Sequence, residues 1–85
     1  MAKYEIRFKK SVSKDFANIP KKDTKKILER IDSLAIEPRP PSSKKLSASD
    51  LYRVRQGDYR ILYDIEDEIL VVSVVRVRHR RSVYK

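Results

Sequence analysis

The stretch LYRVRQGDYRILYDI, residues 51 to 65, decides the fold. It contains the only glycine of the chain, Gly57, followed by Asp58. Such a pair between two alternating apolar runs is the signal of a two-residue hairpin turn. With the turn placed there, Gln56 faces Tyr59, Arg55 faces Arg60, Val54 faces Ile61, Arg53 faces Leu62 and Tyr52 faces Tyr63. One face of the hairpin then reads Tyr52, Val54, Ile61, Tyr63 and is apolar. The other reads Arg53, Arg55, Arg60, with Leu62. Both strands sort alike in this register, and a one-residue slip mixes the faces unless a bulge restores them.

Downstream, EDE (residues 66 to 68) makes a turn. ILVVSVVRV, residues 69 to 77, is apolar on both faces up to Val75, which predicts a central strand. Arg76 and Arg78 follow Leu70, Val72 and Val74 in parity, so one face turns basic at the end. Upstream, KYEIRFKK alternates with Tyr4, Ile6 and Phe8 on one side, a half-buried strand. Val12, Phe16 and Ile19 then fall at helical spacing, with Ser11 as the N-cap. After Pro20, Ile27, Leu28, Ile31, Leu34 and Ala35 form the apolar stripe of a second helix. Asp23 near its start suits the helix dipole. PRPPSSKK cannot continue that helix and reads as a surface loop. The order is β-α-α-β-β-β. This is an α+β fold, two N-terminal helices on one face of a mainly antiparallel sheet.

The 85 residues fit a single domain spanning 1–85, with a small stability margin. There is no cysteine and one histidine, which argues against disulfides and a structural zinc site; no metal or other cofactor is expected. No run approaches ~20 apolar residues. MAKYEIRFKK has no apolar signal core, so no membrane association is expected and a cytoplasmic location is.

Net charge is +9, from 21 Lys plus Arg against 12 Asp plus Glu. Such a field favours a polyanionic partner, nucleic acid or an acidic protein, over a merely solvated surface. The two basic residue types are placed differently. Nine of eleven lysines lie at or before Lys44, and seven of ten arginines at or after Arg53. Arginine presents a planar fork suited to phosphate. The face away from the helices gathers Arg53, Arg55, Arg60, Arg76 and Arg78. Like charges opposed across strands oppose folding. Either the guanidinium groups splay into solvent or meet Asp50, Asp64 and Glu66, or they form a phosphate-binding surface.

The chain ends RVRHRRSVYK. Tyr52, Tyr59 and Tyr63 fall on the apolar parity of the hairpin, but Tyr84 follows four arginines and is placed to stack on an unpaired base. His79 is the one side chain whose ordinary pKa lies near neutrality. Arginines around it disfavour its charged form, so it is a candidate proton acceptor.

The residues YRVRQGDYRILYDIEDEILVVSVVRVRHRRSVYK resemble the C-terminal half of the RelE/ParE superfamily of toxin–antitoxin toxins. The shared pattern is a basic hairpin, YR-x-x-Y, an acidic turn, an apolar strand, and an ending close to HRR-x-VY. Phe8 to Pro20 carries a weaker family echo. The resemblance implies a ribosome-dependent mRNA endonuclease held by a cognate antitoxin. ParE-type relatives share the fold and poison DNA gyrase. For a RelE-type site the resemblance implies Arg60, Arg80 and Tyr84, with Arg53 and Arg55 in the strand before the turn. It implies attack of a ribose 2′-hydroxyl on the adjacent phosphate, leaving a 2′,3′-cyclic phosphate and a 5′-hydroxyl. Arg60 and Arg80 would brace the phosphate as negative charge develops. Arg76, Arg78 and Arg81 would add substrate-binding charge.

This chain departs from the best-known RelE in two ways. That protein has lysines in the strand before the turn; here both are arginines, which cannot lose a proton. Arg55 is therefore a phosphate holder, and the general base falls to His79 or Tyr84. The spacing from Arg80 to Tyr84 is also shorter. Three readings stay open: RelE-like RNA cleavage, ParE-like gyrase inhibition, and a basic nucleic-acid-binding module without catalysis. The implied partners are an acidic or amphipathic antitoxin, the ribosome with mRNA in its A site, and operator DNA reached through the antitoxin.

Overall fold

The computed structural model describes residues 3–81. The elements are β1 (Glu5–Phe8), α1 (Lys10–Ala17), α2 (Lys21–Ser33), β2 (Lys44–Lys45), β3 (Tyr52–Gln56), β4 (Tyr59–Glu66) and β5 (Val71–His79). They confirm the α+β reading and its element order. The addition is β2, two residues long, which pairs Lys44 with Arg53 and Lys45 with Tyr52 at the sheet edge. The five strands lie in the order β1-β5-β4-β3-β2. Only β1 and β5 run parallel. With β1 on one side and β4 on the other, β5 is the central strand its composition predicts, and Val71 to Val74 are all buried.

The hairpin forms in the expected register, from Gln56↔Tyr59 to Tyr52↔Tyr63. Gly57 has φ +61, the sign a type II′ turn needs at its first central position. The core joins Val12 of α1 and Ile27 and Ile31 of α2, with Leu34, to Val54, Ile61, Tyr63, Val72, Val74 and Val77 of the sheet. Fully burying one such aliphatic side chain contributes about 1.5–3 kcal/mol. Tyr63 is wholly buried, and its hydroxyl donates to the Pro38 carbonyl at 2.7 Å. Burial raises its pKa.

Several local expectations are corrected. Lys9, not Ser11, occupies the cap position of α1. The Ser11 hydroxyl instead donates to the Val75 carbonyl at 2.8 Å. Phe8 and Leu28 are exposed rather than packed into the core. Ile69 and Leu70 belong to the turn before β5, and Leu70 has φ 55. Parity along β5 also breaks. Tyr63 pairs with Val74 but Leu62 pairs with Arg76, so Val75 is the extra residue of a β-bulge. Arg76 and Arg78 therefore lie on the face opposite Val72 and Val74, and Val77 enters the core.

The bulge sits where β1 ends and α1 takes over as the neighbour of β5. Lys9 N–H donates to the Val74 carbonyl at 2.9 Å. The Asp15 carboxylate accepts the Val77 N–H at 2.9 Å. A side chain of α1 thus takes up a donor that no strand is there to receive.

The opposite end of the sheet carries a polar clasp. Arg39, in the proline loop, donates two hydrogen bonds to Asp67 at 3.2 and 2.8 Å and a third to the Tyr52 hydroxyl at 3.1 Å. Tyr4 donates to Asp67 at 2.6 Å. Arg39 and then Tyr4 hold the Asp67 carboxyl down at about 2.

Candidate functional site

The hairpin register and the bulge together set arginines side by side across three strands. Arg55 faces Arg60, and Arg60 faces Arg78. In the next row Lys44 faces Arg53, Arg53 faces Leu62, and Leu62 faces Arg76. Directly opposed like charges each cost roughly 0.2–1 kcal/mol. Among the described residues Arg53, Arg55, Arg60, Arg78, Arg80 and Arg81 make no ion pair. Asp50, Asp64 and Glu66 do not meet them, and Oδ1 of Asp64 is itself buried without a partner.

Arg60 stands at the centre. On one side it shares a concavity of about 480 Å³ with Arg55, Arg80 and Arg81. On the other it shares one of about 320 Å³ with Leu46, Arg53, Leu62, Arg76 and Arg78. The Arg60 Nε is buried and has no hydrogen-bond partner. A buried donor left open costs free energy and is a common mark of a ligand's place.

The last turn is pinned to the hairpin. Arg80 N–H donates to the Asp58 carbonyl at 2.8 Å, which brings Arg80 and Arg81 beside Arg55 and Arg60. Arg76 is the exception among the face arginines. Its Nε lies 3.4 Å from Asp15, an electrostatic contact without hydrogen-bond geometry.

The structure does not bring His79 onto the arginine face. His79 pairs with Tyr59 on the core side of the sheet, its ring edge-on to Tyr59 at 5.3 Å. The bulge is the reason, because it shifts the parity of β5 from Arg76 to His79. The Nδ1 atom of His79 accepts the Arg81 N–H at 3.2 Å. Tyr59 in turn approaches Asp23 of α2 at 3.5 Å, and burial raises its pKa. Tyr84 lies outside the described residues.

The sequence analysis named neither Asp15 nor Leu46. Asp15 is the one carboxylate in the first helix, a lone acid among lysines, and that was its only signal. Leu46 reaches the face through the turn after β2, where its N–H donates to the Leu51 carbonyl at 2.9 Å. Leu62 was seen there as the apolar exception.

No helix among the described residues is long and apolar enough to cross a membrane. A family model described as the ParE toxin of the type II toxin–antitoxin system parDE matches residues 6–84. Toxin RelG of Mycobacterium tuberculosis is 30% identical, over 96% of this chain and 97% of that protein. Among solved structures, the toxin–antitoxin complex RelBE2 of Mycobacterium tuberculosis matches at TM-score 0.84 and 31% identity, covering 94% of each chain. The archaeal RelE–RelB complex of Pyrococcus horikoshii matches at TM-score 0.81 and 32% identity, over 94% of this chain and 97% of that one. With this fold, this arginine face and these relatives, the chain belongs to the RelE/ParE family of type II toxin–antitoxin toxins, on its RelE-like branch.

Proposed function

We propose that this toxin is a ribosome-dependent endoribonuclease that cuts mRNA and so stops translation. The observation that carries the reading is Arg60, central to a row of unpaired arginines, with its Nε buried and open. RNA phosphate supplies what that row lacks. The scissile phosphate sits between Arg60 and Arg80, in the concavity they share with Arg55 and Arg81. As the 2′-oxygen bonds to phosphorus and the P–O5′ bond breaks, negative charge builds on the phosphoryl oxygens. Fixed guanidinium groups there lower the barrier; one such donor is typically worth about 10²–10³ in rate.

The 2′-hydroxyl must lose a proton and the 5′-oxygen must gain one. His79 lies beside Tyr59 on the core side of the sheet, and its Nδ1 already accepts the Arg81 N–H, so it does not face the phosphate. We assign it to holding the Arg80–Arg81 turn. Tyr84 is then the residue that stacks on the base and assists proton transfer. Arg53, Arg76 and Arg78 guide the strand.

The partners follow the relatives, which were solved bound to RelB antitoxins. A cognate antitoxin, acidic or amphipathic, neutralises the arginine face or covers the exposed apolar surface of Phe8 and Leu28. Operator DNA is reached through it. The setting is the cytoplasm, where ribosomes carry the substrate.

Expression of the toxin alone should arrest growth, and primer extension should find cuts only in translated messages. Equal cutting of naked RNA would remove the ribosome from the mechanism. The second reading is gyrase inhibition, favoured by the ParE description of the matching family. It predicts poisoned supercoiling with mRNA intact.

A further inference from the structure

The concavity beside Arg60 carries more charge than a single RNA phosphate matches. Four residues line it, Arg55, Arg60, Arg80 and Arg81, and all are arginine. No carboxylate lines it, and among the described residues none of the four makes an ion pair. One explanation is that the guanidinium groups merely spread into water. Two features oppose it. The Arg60 Nε is buried without a partner, so it is screened from solvent. The Arg80 N–H is tied to the Asp58 carbonyl at 2.8 Å, which anchors the last turn against the hairpin. RNA brings one negative charge per nucleotide, too few for four guanidinium groups around one space.

We propose that this concavity also binds a chain of condensed phosphates, as free tripolyphosphate or as the triphosphate of a nucleotide, and that the bound chain keeps RNA out. The proposal rests on the RNA-cleaving reading and adds an inhibitory ligand to the same site. Linked phosphate groups bring several charges within the span of one nucleotide. That density suits four arginines gathered around about 480 Å³. Each guanidinium is a planar fork that can hold two phosphate oxygens. A cleft lined by one sign of charge also focuses its field on the anion that enters. The other concavity at Arg60 has Leu46 and Leu62 in its lining, a poorer match for a ligand charged along its length. Binding relieves the repulsion of Arg55 against Arg60 across the strands, so the same ligand stabilises the fold.

The test is isothermal titration calorimetry on the purified full-length toxin at constant ionic strength. The probes are orthophosphate, pyrophosphate, tripolyphosphate and citrate, the last an anion of charge similar to pyrophosphate. Affinity should rise with chain length, and tripolyphosphate should bind roughly tenfold or more tighter than orthophosphate. Arg55→Ala with Arg81→Ala should weaken tripolyphosphate roughly tenfold or more, because charge-assisted hydrogen bonds are lost. Lys22→Ala with Lys25→Ala removes the same charge from exposed positions of α2 and should change little. If the arginine pair does not fold when replaced, Arg81→Ala alone carries the same expectation at smaller size. Citrate binding as tightly as pyrophosphate, or an equal loss in the lysine variant, means attraction to net charge alone. Either result overturns the site and leaves the cleavage reading standing. Tripolyphosphate should also displace a labelled 2′-fluoro RNA hexamer, which the 2′-hydroxyl route cannot cut. Simultaneous binding of both overturns the exclusion of RNA. ATP separates the two sources: affinity equal to that of tripolyphosphate points to nucleotides, and weaker affinity to free condensed phosphate, and both keep the site. A hexamer that does not bind at all counts against the cleavage reading, while the calorimetry still decides the site.

Discussion

The two faces of this sheet share strands and even neighbouring residues, yet they obey opposite rules. On one face Val54, Ile61, Tyr63, Val72, Val74 and Val77 pack against the helices and are almost wholly buried. On the other, Arg55, Arg60 and Arg78 oppose one another, and among the described residues none of the three makes an ion pair. The first face lowers the free energy of the folded chain. The second raises it. A domain this small has little stability to spare. Its retention of three arginines in a row points to a ligand that relieves them.

The contrast is broken most severely from the core side. Ile61→Ala should cost about 2–5 kcal/mol, by lost burial and a cavity. Thermal unfolding should show a large drop in Tm, and toxicity should fall with it. Arg60→Ala, the adjacent residue on the other face, should do the reverse. Growth arrest and mRNA cleavage should fall by about 10²–10³ while the fold survives. Tm should hold or rise, since one cross-strand repulsion is gone. Full toxicity in a folded Arg60→Ala protein would sink the site. Arg80→Ala should lose activity in the same way, again with the fold intact.

Asp15→Ala tests the link between the faces. It leaves the Val77 N–H without its acceptor and takes away the carboxylate beside the Arg76 guanidinium, a loss of about 1–3 kcal/mol. Stability and activity should fall together, unlike in Arg60→Ala. An unchanged Tm would show that the bulge holds without α1. The smallest effect is expected at the clasp. Asp67 has a depressed carboxyl, so its contribution is complete above the ordinary carboxyl value of 3.8 and is lost as pH falls through about 2. Asp67→Asn should therefore narrow the stability difference between neutral and acid solution, with little change in toxicity. A denaturation series between those pH values measures it.

The hairpin was legible because several signals coincided. One glycine, a two-residue turn and period-2 patterning on both strands leave one register that keeps Tyr52, Val54, Ile61 and Tyr63 together. The end of β5 was less legible. Val71, Val72, Val74, Val75 and Val77 occupy both parities, so hydrophobicity places no constraint on where the phase changes. Simple alternation gave Arg76 and Arg78 the parity of Val72 and Val74, although their charge had placed them with Arg53, Arg55 and Arg60, where the structure has them. It also left His79 among the arginines. Ser11 was misjudged for a related reason: its hydroxyl has a partner distant in sequence, the Val75 carbonyl.

By itself, the sequence determined the α+β order, the hairpin register and the arginine-bearing face of β3 and β4. These follow from local chemistry: turn residues, side-chain period and charge. Only the tertiary structure decided how β5 joins them. The bulge at Val75 forms where β1 stops and α1 offers Ser11, Asp15 and the Lys9 amide to the exposed strand edge. Those partners are about sixty residues away in the chain, so no local pattern encodes them. Hydrogen-bond demand at that edge turns Arg78 into line with Arg60 and sends His79 to the other side.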